Sequence, residues 1–397
     1  MNGTAVKSLG QVFTPANIVT EMLRLRRRRG RTLEPSAGDG AFSRNLPGCT
    51  AIEFDATVAG PGMLRLDFFE LDEAEQFDSI IGNPPYVRAG DILPGTLAKI
   101  KGKGYLRAFD NRTNLYIHFI RKCLEHLAPG GELIFITPRE FLNATSGMPL
   151  NETLFKTGTI TDLVELGDRR VFPTAAPNCV IWRFEKDNFS RRTTDGRRFI
   201  LNNGCLLFTE RAYPVPFSEV FFVKVGAVSG LDRVFRSPAG NRDFVTSETV
   251  ATGRATRMFY NVAGEALAAH KPELLGRKIR RFTDANWFKW GRELYESDAP
   301  RIYVNCKTRA RAPFYTHACR NFDGSVLGVF PRAERPPLRE LANLLNQVDW
   351  RELGFVCGGR RLFSQRALEG TLLPASFAPW REAARPRPAE NLLLDLN

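Results

Sequence analysis

Along the first two hundred residues the spacing of apolar positions switches repeatedly between a helical and a strand-like period. Ile18, Val19, Met22 and Leu23 recur at helical spacing over residues 15–29, behind a proline suited to a first helical turn. Short apolar runs bounded by glycine, proline and acidic residues follow, and predict strands at 31–34, 51–55, 64–69 and 77–82. Thr113 reads as the N-cap of a helix reaching Leu127, with Leu115, Phe119 and Leu124 on its apolar positions. Pro129-Gly130-Gly131 reads as its end, and 132–137 as a buried strand. Residues 163–166 and 179–184 predict the last two strands. Such alternation is what an α/β, doubly wound sheet requires.

The pattern changes near residues 210–220. Beyond them, strand-like segments at 221–230, 301–308 and 326–331 mix with helical patterns at 338–347 and 351–355. The expectation is two domains, 1–215 and 216–397, the second of mixed α+β type. The stretch 87–112 reads as one long loop carrying Arg88, Lys99, Lys101, Lys103 and Arg107.

Charge sharpens this division. The 397-residue chain has a formal net charge of +13, and residues 216–397 hold 28 Lys and Arg against 19 Asp and Glu. A basic second half suits a polyanionic partner. Seven scattered cysteines without a CxxC pair, and four histidines without a ligand motif, argue against a metal site or a disulfide framework. No run approaches bilayer-spanning length and no leader opens the chain, so the expected location is the cytoplasm, without membrane association.

Two segments carry chemistry. The strand at 77–82 runs into Asn83-Pro84-Pro85-Tyr86, at the strand end where open α/β sheets place their sites. An aromatic exocyclic amine is a poor nucleophile because its lone pair is delocalised into the ring. The Asn83 side-chain oxygen and the Pro84 carbonyl could accept its hydrogens and localise that lone pair, while Tyr86 offers a stacking face. Upstream, Glu34-Pro35-Ser36-Ala37-Gly38-Asp39-Gly40 forms a tight, acidic, glycine-rich loop. Its carboxylates would repel a pyrophosphate, so S-adenosylmethionine, with its ammonium and sulfonium, suits it better than NAD. Glu53, at a second strand end, could hold both ribose hydroxyls. Asp67 could accept from an adenine amine, with Phe68 against the ring.

These motifs together resemble the N6-adenine DNA methyltransferases of the gamma arrangement (TaqI-like), over most of the chain. In that family, the segment matched by Gly10 to Pro15 closes over the methionine end of the cofactor, which places Thr14 and Pro15 at the site. Ser36, Gly38, Asp39 and Gly40 match the cofactor loop, and Asn83 to Tyr86 the catalytic turn. Val171-Phe172-Pro173 matches the place of a second aromatic that sandwiches an extruded base, although Arg169 and Arg170 and a Pro/Ala-rich stretch depart from the pattern. The resemblance implies a Rossmann-like sheet closed by an antiparallel hairpin, a target-recognition domain, S-adenosyl-L-methionine as cofactor, and double-stranded DNA as substrate. It also implies a monomer, within a restriction-modification system. No nuclease motif is visible, so any cleaving endonuclease would be a separate protein.

Arg88, Lys101 and Lys103 beside the catalytic turn, and Lys307, Arg309 and Arg311 in the second half, are the candidate DNA contacts, with Arg277, Lys278, Arg280 and Arg281 as further ones. The arginine run 24–31 joins the first helix to the first strand, opposite the site, and reads as a solvated face. Rival readings are transfer to an RNA base, to cytosine N4 or to a protein glutamine amide, and a catalytically idle DNA-binding protein.

Overall fold

The computed structural model describes residues 12–102, 104, 113–167, 178–357 and 359–382. The chain divides into two compact units: Met1–Arg211 with Trp350–Gly359, and Ala212–Asp349 with Arg360–Asn397. A single cut at 215/216 therefore misses the ten-residue return of 350–359 to the first unit.

The first unit is built on a six-stranded sheet in the order β2-β1-β3-β4-β6-β5. Its strands are β1 (Thr32–Glu34), β2 (Thr50–Ala51), β3 (Phe77–Gly82), β4 (Leu127–Pro138), β5 (Gly158–Glu165) and β6 (Cys179–Lys186). β1 to β4 pair in parallel, whereas β6 runs antiparallel to both β4 and β5, which is the closing hairpin expected. Successive side chains along a strand face opposite sides. Ile80 and Leu133 thus join one core with helix α3 (Leu115–Glu125), while Ile81 and Ile134 join another with helix α1 (Ala16–Leu25). Strands covered on both faces read as continuous apolar runs, which is why β3 and β4 were legible.

Several expected elements differ. Residues 64–69 form no strand. Leu64 makes only a bridge to Ile52, and the Asp67 carboxylate accepts from the Phe69 N–H to start a short turn at Phe68–Glu70. A side chain that bonds its own backbone in this way competes with sheet pairing. The expected loop 87–112 contains helix α2 (Pro94–Gly102), opened by its proline and anchored by fully buried Ile100. Helix α3 is entered through Asn114, not Thr113, and ends at Glu125; β4 runs straight through Pro129-Gly130-Gly131, with Gly130 at φ +66°. Residues 351–354 form turns rather than a helix, with Gly354 at φ +79° in the left-handed region. After β6 the unit adds helix-supported hairpin strands β7 (Arg198–Asn202) and β8 (Cys205–Thr209).

The arginine run is held from below. Fully buried Glu132 on β4 accepts from the backbone N–H groups of Arg27 and Arg28 at 2.9–3.1 Å and from Arg183 Nε at 2.7 Å. The side chains of Arg27, Arg28 and Arg29 stay exposed, as expected of a solvated face.

The second unit contains a four-stranded antiparallel sheet in the order β9-β12-β10-β11, from Phe221–Val225, Ile302–Asn305, Phe314–Tyr315 and Val326–Pro331. Helix α4 (Leu338–Gln347) packs beside β11, where Asn346 exchanges two 2.9 Å hydrogen bonds with the Phe314 backbone.

Candidate active site

A cleft of about 880 Å³, open to solvent, lies beyond the carboxyl ends of β1, the Ile52 bridge and β3. It is lined by Val12, Phe13, Pro35, Ser36, Gly38, Glu53, Phe54, Asp67, Phe68, Asn83, Pro84 and Pro85, with apolar residues of the 87–119 segment completing the wall. Among the described residues Glu53 and Asp67 are its only charged lining residues, so the cleft favours a cationic guest and disfavours a phosphate.

Asn83 follows directly from β3, and Ser36 Oγ fixes its backbone by donating to the Asn83 carbonyl at 3.0 Å. Its side-chain amide Nδ2 donates to the Val12 carbonyl at 2.9 Å and to Thr14 Oγ1 at 3.3 Å. A carbonyl can only accept, so Val12 determines which end of the carboxamide faces it. Oδ1 is consequently left buried with no hydrogen-bond partner among the described residues. A buried acceptor without a partner carries a cost of about 1–3 kcal/mol, and a guest amine would remove it.

Glu53 accepts from Gly38 N at 2.6 Å through one oxygen and from Asp55 N at 2.8 Å through the other. These bonds hold its carboxylate at the cleft wall with acceptor capacity left on both atoms. Gly38 stands at φ +55°, so any side chain here would strain the turn, and a Cβ would lie in ordinary contact with the Phe13 ring at 3.5 Å. Asp67 accepts from Phe69 N, from Thr96 Oγ1 at 2.8 Å and from Lys99 Nζ at 3.1 Å. Phe68 packs against Phe119 with ring centroids 4.6 Å apart.

Other expected residues lie elsewhere. Glu34 does not line the cleft: it is buried beneath the loop and accepts from Phe42 N and Ser43 N, so it shapes the turn from behind. Burial pushes its carboxyl up to about 7 against the pull of those hydrogen bonds. Asp39 is exposed and pairs with Arg44, and Gly40 sits at φ +80° outside the lining. Thr14 and Pro15 also stand behind the wall, Pro15 as the residue entering α1. Tyr86 is half-buried; its hydroxyl donates to the Ile136 carbonyl at 2.8 Å and its ring meets Tyr116 edge-on. Arg88 and Lys101 are exposed, as are Lys307, Arg309 and Arg311 in the second unit. Phe172, with Arg169 and Arg170, and Lys103 and Arg107 fall outside the described residues. Arg277 is no surface contact: it is buried and bonded to four backbone carbonyls, those of Leu274, Ser229, Trp287 and Lys289. Sequence reasoning missed Phe54, Thr96 and Phe119 as lining residues; the signal for Phe54 was its place directly after Glu53.

Comparison with known proteins places this geometry. Residues 56–172 match the family model of the Eco57I restriction-modification methylase. The chain is 32% identical over 225 residues to the Type II methyltransferase M.HincII of Haemophilus influenzae, covering 53% of this chain and 45% of that protein. It is 33% identical over 210 residues to the Type II methyltransferase M.TthHB8I of Thermus thermophilus, covering 48% of each. The chain spans about half the length of these curated relatives. Among solved structures, the Type IIL restriction-modification enzyme MmeI in complex with DNA shares the fold with a TM-score of 0.60 at 13% identity, over 93% of this chain and 69% of that one. This chain is thus related in sequence to the methyltransferases of restriction-modification systems.

Proposed function

We propose that this chain transfers a methyl group from S-adenosylmethionine to the N6 amine of an adenine extruded from duplex DNA, as the modification activity of a restriction-modification system. The observation that carries the reading is the buried, unpartnered Asn83 Oδ1, its orientation dictated by the Val12 carbonyl, at the wall of an acidic cleft. The relatives named above support the DNA methyltransferase class; the target atom is inferred from the Asn83 turn.

The donor set fits the cofactor. Glu53 would hold the ribose hydroxyls, Asp67 the adenine amine and Phe68 the adenine ring, with Phe13 beside the glycine loop. When bound, the cofactor supplies a methyl on positively charged sulfur, open to direct displacement by an amine. Asn83 Oδ1 and the Pro84 carbonyl accept the two hydrogens of the target amine and draw its lone pair out of ring conjugation. Tyr86, held by the Ile136 carbonyl, keeps the turn rigid and offers its ring to the base. Phe172 is assigned to the opposite face of that base. The amine of a stacked, paired adenine cannot reach such a wall, so the base must leave the helix. Positioning and desolvation supply the acceleration, and no covalent enzyme intermediate is required. Lys307, Arg309 and Arg311 would meet the phosphate backbone.

The test is incubation with methyl-labelled S-adenosylmethionine and genomic DNA, followed by digestion to nucleosides. Label in N6-methyladenine is the expected result. Label in N4-methylcytosine would keep the chemistry and move the target; label only in RNA or in a glutamine-bearing protein would overturn the reading.

A further inference from the structure

Helix α2, which the sequence presents as loop, brings two polar side chains to a single carboxylate. Thr96 and Lys99 lie three residues apart, on one helix face, and both donate to Asp67 Oδ2, at 2.8 and 3.1 Å. The other oxygen, Oδ1, accepts from Phe69 N at 3.0 Å. An ionised carboxylate offers about four acceptor sites, and three are filled. The remaining one is on Oδ1, in a residue only 6% exposed that lines the cleft. Lys99 is itself held in place by Glu70 Oε1 at 2.9 Å. Desolvation works against its charge, but its hydrogen bonds to Glu70 and Asp67 outweigh that and hold its pKa above the usual lysine value.

Resting on the reading of this cleft as the seat of an adenosyl donor, we propose that Lys99, with Thr96, is a positioning pair that fixes Asp67 as an acceptor-only reader of the purine 6-position. With Oδ2 saturated by a cation and a hydroxyl, Asp67 has no proton to donate and one lone pair to offer. It therefore accepts from a 6-amino group and repels a 6-oxo group, making the site selective for adenosyl over inosyl ligands. Without Lys99, Oδ2 loses one of its two donors and the carboxylate is no longer held with Oδ1 toward the cleft. The same pocket would then discriminate less against a 6-oxo purine. Lys99 acts through Asp67 and does not line the cleft itself, whereas Thr96 does.

Calorimetric titration of the full chain with S-adenosylhomocysteine and S-inosylhomocysteine tests this. Wild type should prefer the adenosyl ligand by at least about a hundredfold, since a site built around one hydrogen bond strongly rejects the analogue that cannot make it. Lys99→Met should cut that preference to below about tenfold, chiefly by weakening adenosyl binding. Lys99→Arg, which keeps the charge, should restore the preference. Thr96→Val should lower it by a smaller factor, and serves as the test variant if Lys99→Met melts early. An unchanged preference in a folded Lys99→Met or Thr96→Val chain, or a wild type blind to the 6-position, would overturn the proposal while leaving the cofactor reading intact. Failure of wild type to bind S-adenosylhomocysteine at all would instead overturn the cofactor reading, and this proposal with it.

Discussion

The two units contrast in how particular polar groups are used. In the first, the cleft residues keep acceptor capacity in reserve. Asn83 Oδ1 is buried without a partner among the described residues, and Asp67 and Glu53 retain free lone pairs at the cleft wall. In the second, two buried arginines are spent on the unit's own backbone. Arg277 serves four carbonyls, and buried Arg301 donates to those of Ala299, Arg320 and Ser297. Exposed Lys307, Arg309 and Arg311 of the same unit have no acidic partner among the described residues. Small-molecule chemistry needs dry, preorganised acceptors; polyanion binding needs wet, mobile cations. The contrast separates two kinds of residue that a count of charges treats alike.

The sharpest way to break the comparison is at Asn83. Asn83→Ala removes the reserved acceptor and the tether to Val12 while leaving Glu53, Asp67 and Phe68 in place. Methyl transfer should fall by about a thousandfold or more, the scale of losing one preorganised polar group at a reacting centre. Affinity for S-adenosylhomocysteine should stay within about threefold of wild type, because only the transition-state interaction is lost. Near-normal methylation by this variant would show that the orphaned oxygen is not reserved for a substrate.

Next in size is Arg277, which tests the claim that the second unit's buried cations are structural. Its guanidinium lies 3.8 Å from the Phe282 ring centre, and burial, then the neighbouring Arg280, lowers it to about 10. Arg277→Met would strand the Leu274, Ser229, Trp287 and Lys289 carbonyls. At about 1–3 kcal/mol for each buried group left unpaired, the unit should lose several kcal/mol of stability, seen in chemical denaturation. A variant that melts normally yet binds DNA poorly would put Arg277 back among the contact residues.

The same distinction explains what the sequence made legible. The Asn83-Pro84-Pro85-Tyr86 turn and the glycine loop were readable because each sets particular residue types at fixed spacing behind a buried strand. The last two strands, β5 and β6, followed from apolar runs, and their closure as an antiparallel hairpin from family resemblance. Helix α2 was hidden because Pro94, Gly95 and its lysines look like loop, and Ile100 is its one buried side chain. Lys99 therefore read only as one of that loop's lysines, whereas it faces Asp67 and Glu70. The strand expected at 64–69 failed because Asp67 bonds the backbone two residues on. Glu34 was correctly tied to the loop but placed on the wrong side of it, since composition does not tell which face of a turn a carboxylate meets. Arg277 and Lys307 look equivalent in sequence; only burial separates them.

The smallest expected effect belongs to the exposed cations, and it sharpens the comparison most directly. Replacing Lys307, Arg309 and Arg311 together by glutamine removes three charges that have no acidic partner among the described residues. Stability should barely change, and binding of S-adenosylhomocysteine not at all. Duplex DNA affinity should fall by about tenfold near physiological salt. The more discriminating measure is the salt dependence: each phosphate contact contributes about 0.9 to the slope of log affinity against log salt. If all three residues meet phosphates, the slope should flatten by roughly 2.7. A weaker affinity with an unchanged slope would mean that these side chains read bases or support the fold, and an unchanged affinity would move the DNA-binding face to another surface. Arg88→Gln beside the catalytic turn extends the same measurement to the first unit, where one contact should flatten the slope by about 0.9.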